Sequence, residues 1–145
     1  MFKHILVPVD GSKTAELAVA KAIGLAQAFG SRVTVIYVID PYPFTGVGTD
    51  FAYGQAEYLS AATAEANAAV KVAKEAFADA TVAVETSVVE SHTAWRGIVD
   101  AGDSLQADLI VIGSHGRSGL EKLVLGSVAQ AVLSHSRLPV LVVRD

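Results

Sequence analysis

The residues best placed to do chemistry lie late in the chain, in Gly113-Ser-His-Gly116-Arg-Ser-Gly119-Leu-Glu-Lys-Leu-Val-Leu-Gly126-Ser127. The apolar run Leu109 to Ile112 precedes this stretch, and an apolar, alanine-containing helical pattern follows it. A strand therefore runs through a glycine-rich loop into a helix N-terminus. That arrangement offers backbone N–H groups and the positive end of a helix dipole to phosphate. Glycine suits it because an anion can approach a backbone that carries no Cβ, and because some loop conformations need positive φ. Taken singly, Gly113 could serve only a tight turn, and Gly126-Ser127 only a helix start. Together, at the end of a buried strand, they point to phosphate. His115 and Arg117 flank Gly116: arginine is a good phosphate partner and His115 can donate a hydrogen bond. Either could equally be a solvated loop residue. The pattern is neither a Walker A loop nor the dinucleotide fingerprint, whose spacings do not occur here.

Asp10 is the second candidate. It follows the apolar run Ile5-Leu-Val-Pro-Val9 and precedes Gly11-Ser12. A carboxylate at the end of a strand can accept hydrogen bonds from a ribose hydroxyl or an adenine amino group. It could also only cap the following helix. Val38, at the corresponding end of the next strand, is either ordinary core or an apolar shelf for a base plane. Catalytic constellations are sparse. There is no Gly-x-Ser-x-Gly elbow and no His-Glu-x-x-His. Asp108 precedes a strand and should lie at the opposite end of the sheet from the loop. His4, His92 and His135 lack partners at metal-site spacing and read as structural or surface residues. A nucleotide site with neither a base nor a dedicated lysine points to a binder or a very slow hydrolase.

These residues need a frame to bring them together. Ile5–Val9, Val33–Ile39, Thr81–Val89, Asp108–Ile112 and Pro139–Val143 read as strands, and helical patterns separate them. Pro8 belongs at a strand end. Ser12 is a helix N-cap and Gly30 ends that helix. The segment Tyr42–Asp50 reads as an exposed loop or lid. A long alanine-rich helix follows, with Ala52, Ala56, Leu59, Thr63, Ala66, Val70, Ala73 and Phe77 as one stripe. Gly97 and Gly102 weaken the third helix, and Ser127 with Gln130 forms a capping box on the fourth. The alternating order implies an α/β fold: a single open, doubly wound, parallel five-stranded sheet with helices on both faces, one domain over residues 1–145. Ligands of such sheets bind beyond the carboxyl ends of the strands, where the strand order reverses. Asp10 and Gly113 share that crevice if their strands are neighbours.

Composition limits the remaining classes. The chain has 145 residues, 52% of them hydrophobic, enough for an ordered core. Its net charge of -4, with both signs spread along the chain, offers no basic face for nucleic acid. Cysteine is absent, which excludes disulfides and thiol catalysis. No apolar run approaches the roughly 18 residues that span a bilayer, and the start is too quickly acidic for a signal peptide. The expectation is a cytoplasmic protein away from membranes.

Ile5-Leu-Val-Pro-Val-Asp-Gly-Ser12, Val35–Asp40, Ala107–Gly116 through Leu125–Ala129, and Leu138–Val143 together resemble the ATP-binding branch of the universal stress protein family. The resemblance covers essentially the whole chain. It implies a Rossmann-like sheet of strand order 3-2-1-4-5, with ATP as the ligand and Mg²⁺ or Mn²⁺, where present, held through the phosphates. It implies that Pro8, Val9, Asp10, Val38 and Ile112 surround adenosine. Gly113, His115, Gly116, Gly126, Ser127, Val128 and Ala129 would surround the phosphates. The implied role is a nucleotide-dependent stress-response module with a further protein partner, and the alternative is a slow ATP hydrolase. The family's habit of pairing last strands implies a homodimer through Leu138–Val143. An apolar edge strand that seeks a partner fits this.

Overall fold

The structure, a computed structural model, describes residues 1–41, 49–116 and 125–145, and of residues 49–53 the backbone alone. Short apolar runs form the strands and amphipathic segments form the helices. The order is β1 (His4–Pro8), α1 (Lys13–Phe29), β2 (Arg32–Ile39), α2 (Thr49–Ala76), β3 (Val84–Glu90), α3 (Ala94–Ser104), β4 (Leu109–Gly113), α4 (Ser127–His135) and β5 (Val140–Val143). The strands make one parallel sheet in the order β3-β2-β1-β4-β5. Ile5 is opposite Val33 on one side and Leu109 on the other, so β1 and β4 are neighbours at the point where the order reverses.

Alternate side chains of each central strand enter opposite layers. Ile5, Val7, Val33, Val35, Leu109 and Val111 pack under α1 and α2 with Ala18, Ala22, Val70 and Phe77. Leu6, Ile36, Ile110 and Ile112 pack under α3 and α4 with Ile98 and Val132. This two-sided burial explains why β1 and β4 read as continuous apolar runs. β3 lies at an edge and carries the more polar, alternating sequence expected there. α1 starts and stops where its residues dictate. The Ser12 hydroxyl accepts from the Ala15 N–H at 3.2 Å, and Gly30 closes the helix at φ 66°.

Two expectations shift. Of the α2 stripe, Ala66, Val70, Ala73 and Phe77 are buried, whereas Ala56 and Thr63 are exposed. At 28 residues α2 is about 42 Å long, against about 26 Å for the eight residues of β2, so its first half runs past the sheet. Gly97 and Gly102 are contact points rather than mere weaknesses. A Cβ on Gly102 would come 3.0 Å from Leu138 Cδ1, and one on Gly97 would come 2.9 Å from Val38 Cγ1.

The amino end of the sheet is pinned by polar groups. Asp108 accepts from the N–H groups of Lys3 and His4 at 2.8 and 3.0 Å, which places it, as expected, away from the glycine loop. Burial pushes its pKa up, but these backbone donors outweigh that and hold it below the usual carboxylate value. His4 is buried, with Nδ1 3.1 Å from the Leu105 carbonyl and Nε2 2.7 Å from Thr34 Oγ1. A neutral ring satisfies both, donating from Nδ1 and accepting at Nε2. Burial, then the nearby Arg32 charge, lowers the His4 pKa from its ordinary 6.5. The unfolded chain therefore takes up this proton at a higher pH than the folded one. Stability is fully present above about pH 6.5 and falls as pH drops below it toward the folded pKa. Thermal unfolding followed from about pH 8 to pH 5 is expected to show this decline, and His4→Gln to remove it. An identical slope in the variant would assign the decline to other groups.

Candidate functional site

β1 delivers its end to the crevice through a tight corner. Pro8 is the last residue of the strand, beyond the Ile5 and Leu6 pairs with β4, and the Val9 N–H reaches the Ile36 carbonyl at 2.8 Å. Asp10 Oδ1 then accepts from the Ser12 N–H at 2.9 Å. This Asx-type turn needs Gly11 at φ 81°, a left-handed conformation that glycine adopts without a Cβ clash. The turn fixes the Asp10 carboxylate at the mouth of the crevice, with Oδ2 toward Gly116. A Cβ on Gly116 would collide with that oxygen.

β4 delivers the second wall. Ser114 is buried, and its N–H donates to the Val143 carbonyl at 2.8 Å. Its own carbonyl accepts from the Gly126 N–H at 2.7 Å, which ties the start of α4 to the end of β4. The Thr14 hydroxyl donates to the His115 carbonyl, and His115 Nδ1 lies 3.2 Å from Ser114 Oγ. The glycines answer first to these protein contacts. A Cβ on Gly113 would stand 2.8 Å from Thr14 Oγ1 and 2.9 Å from the Thr14 carbonyl carbon. One on Gly126 would stand 3.0 Å from His115 Cα and 3.1 Å from the Ser114 carbonyl oxygen. Among the described residues positive φ occurs at Gly11, Gly30 and Gln106, so Gly113, Gly116 and Gly126 are not there for it.

The expected capping box on the fourth helix is replaced by a different start. Gly126 is the N-cap, extended at φ -64° and ψ 157°, and as glycine it brings no side-chain cap. Gln130 instead gives its backbone N–H to the Gly126 carbonyl at 2.9 Å. Ser127 is one residue too far along, inside the first turn. The N–H groups of Ser127, Val128 and Ala129 find no acceptor among the described residues. α1, by contrast, is capped by Ser12. One helix at this crevice is closed by its own side chain, and the other presents donors without a partner among the described residues, with the dipole behind them.

The walls meet around a cavity of about 150 Å³. Pro8, Val9 and Asp10 come from β1 and its turn, Val38 from β2, and Ile112, Gly113, His115 and Gly116 from β4 and its loop. Val128 closes it from α4, whereas Gly126, Ser127 and Ala129, also at the start of α4, do not line it. The volume suits a base-sized ring; whole drug-sized ligands use about 300 Å³ or more. Arg117 and residues 42–48 of the expected lid lie outside the described residues. The sequence reading missed Ala94 and Ile98, which wall the cavity from α3, and Ser12 and Ala15, which wall it from α1. The spacing of four between Ala94 and Ile98 was the available signal, since it places both on one helix face. A larger hollow of about 570 Å³ lies between α1 and α2, lined largely by alanine and valine and rimmed by Glu16 and Glu65. It carries two carboxylates and its helix start is capped by Ser12, whereas the smaller cavity carries one carboxylate, Asp10, and meets the start of α4 at Val128, so the smaller cavity suits phosphate better despite its size. Among the described residues no group of three or more His, Asp or Glu side chains could hold a metal ion, and no helix is long and apolar enough to cross a membrane.

A parallel sheet with a crevice at its reversal point, walled mostly by apolar residues, defines the class of doubly wound α/β folds. The model of the universal stress protein family matches residues 1–144, and the chain belongs to that family. It is 37% identical to a universal stress protein of Methanocaldococcus jannaschii, over 99% of this chain and 83% of the relative. Its fold superposes on the universal stress protein UspA of Lactobacillus plantarum with a TM-score of 0.88 at 27% identity, covering 98% of this chain and 97% of that one. A universal stress protein solved in complex with cAMP matches with a TM-score of 0.68 at 26% identity, over 98% and 97% of the two chains.

Proposed function

We propose that this chain binds ATP in the crevice between β1 and β4 and acts as a nucleotide-dependent regulatory module. The observation that carries the reading is the start of α4, where the N–H groups of Ser127, Val128 and Ala129 find no acceptor among the described residues and Val128 lines a base-sized cavity. A triphosphate supplies the acceptors those donors lack, and adenine suits the apolar walls of Val38, Ile98 and Ile112. The Asp10 carboxylate is positioned for a ribose hydroxyl or the adenine amino group. His115 and Gly116 complete the phosphate side, and Arg117, outside the described residues, is assigned to the phosphates from the sequence alone. The related structure holding cAMP supports an adenine nucleotide as the ligand class. With Asp108 at the far end of the sheet, the reading is of a binder, with a slow ATP hydrolase as the alternative. Any Mg²⁺ or Mn²⁺ would be carried by the phosphates. We place the protein in the cytoplasm as one domain that passes its nucleotide state to a protein partner. Calorimetric titration of the folded protein with ATP tests this: saturable one-site binding is expected, and no heat at millimolar ATP would contradict it.

The same reading includes a homodimer through Leu138–Val143. β5 is the outer strand beside β4, and Leu141 is 40% exposed. Ile110 and Ser114 donate to the carbonyls of Pro139 and Val143, so the N–H groups of Val140 and Val142 point to the free edge. Proline at Val142 removes an outward donor and leaves the β4 ladder unbroken. Sedimentation should show a wild-type dimer and a more dissociated Val142→Pro variant. A wild-type monomer, or a dimer indifferent to the change, would move the interface elsewhere.

A further inference from the structure

The contact between α3 and β2 bears on the crevice itself. Gly97 is buried, and a Cβ there would come 2.9 and 3.2 Å from the two γ-methyls of Val38 and 3.0 Å from Ser91 Cβ. Real Cβ atoms do not sit that close, so an added methyl forces something to move. Two things can yield. Val38 can shift its side chain, or α3 can lift away as a body. Both outcomes deform the same cavity, because Val38 lines it from one side and Ala94 and Ile98, which flank Gly97 on α3, line it from another. Neither Gly97 nor Ser91 touches the cavity directly.

We propose that Gly97 is a positioning residue that sets the width of the base-binding slot, by letting α3 close onto Val38. The inference rests on the nucleotide reading above. The phosphate donors lie on α4 and the loop after β4, apart from this contact. Narrowing or skewing the slot therefore acts on the base and leaves phosphate recognition in place. A purine spans more of the slot than a pyrimidine, so ATP feels the change more than CTP.

The test is a double-variant cycle read by titration with ATP and with CTP. Gly97→Ala is expected to weaken ATP by about tenfold or more, the scale of one misfitting methyl in a tight pocket. CTP should weaken less, so that the preference for ATP over CTP shrinks. Val38→Ala removes both γ-methyls that the new Cβ would meet and leaves only Ser91 Cβ at 3.0 Å, a contact that a shift of a few tenths of an ångström relieves. In that background Gly97→Ala should leave ATP affinity where Val38→Ala alone puts it. If Gly97→Ala does not fold, the comparison between Val38→Ala and the double variant decides alone, and a weaker double variant overturns the proposal. Equal losses for ATP and CTP in Gly97→Ala would also overturn it, since they signal a general structural fault. So would a folded Gly97→Ala that binds ATP as the wild type does, with the nucleotide reading left standing. A wild type that binds neither nucleotide removes that reading and the inference with it.

Discussion

Ser127→Pro is expected to weaken ATP binding by about ten- to a hundredfold while the fold persists. The estimate follows from losing one hydrogen bond to a charged group, about 1.5–3 kcal/mol. The substitution is unusually clean. Ser127 is the first helical residue of α4, where proline is tolerated because its N–H makes no intrahelical bond. Gly126 before it is already extended, as the residue preceding a proline prefers. Ser127→Ala separates the two groups that proline removes, since it deletes the hydroxyl and keeps the N–H. If the backbone donor carries binding, the alanine variant stays near wild type and the proline variant does not. Equal affinities for all three proteins would take the Ser127 donor out of the site.

The second large effect is on stability. Gly113→Ala is expected to destabilise the fold by about 1–3 kcal/mol, the usual cost of overpacking a close contact. The new Cβ meets the Thr14 hydroxyl at 2.8 Å and the Thr14 carbonyl carbon at 2.9 Å. Rotating Thr14 relieves the first contact and not the second. Thr14→Ala should therefore fail to rescue the variant. Urea unfolding of both proteins measures this, and an unchanged midpoint for Gly113→Ala would show that α1 can move aside freely. The result also separates two reasons for a glycine at this position. Substitution of Gly113 disturbs the joint between β4 and α1 before it disturbs a phosphate, so a valine there would not leave the fold intact as a binding probe.

The strands were legible because two-sided burial leaves an unbroken apolar run, as in Ile5–Val9 and Leu109–Ile112. The turn at Asp10–Ser12 and the close of α1 at Gly30 were legible because each uses local hydrogen bonds or a local φ. The alternating element order joined Asp10 and Gly113 in one crevice only if β1 and β4 were neighbours, which the sheet order then showed. The start of α4 was read one residue late. Ser-x-x-Gln is a valid local signal, but the tie from the Gly126 N–H to the Ser114 carbonyl sets where the helix begins. That tie is tertiary. The roles of Gly97, Gly102 and Gly113 were hidden for the same reason. Their partners, Val38, Leu138 and Thr14, lie on other elements, and no spacing along the chain reveals such a contact. α3 as a wall of the site was missed because Ala94 and Ile98 look like ordinary core at helical spacing.

The most direct test of the central claim is an amide NMR titration of the folded protein with ATP. The account predicts that the amide resonances of Ser127, Val128 and Ala129 shift most, because their N–H groups acquire acceptors, with smaller shifts at Asp10 and Val38. ATP that leaves those three amides unmoved, or shifts only residues facing the hollow between α1 and α2, would contradict it.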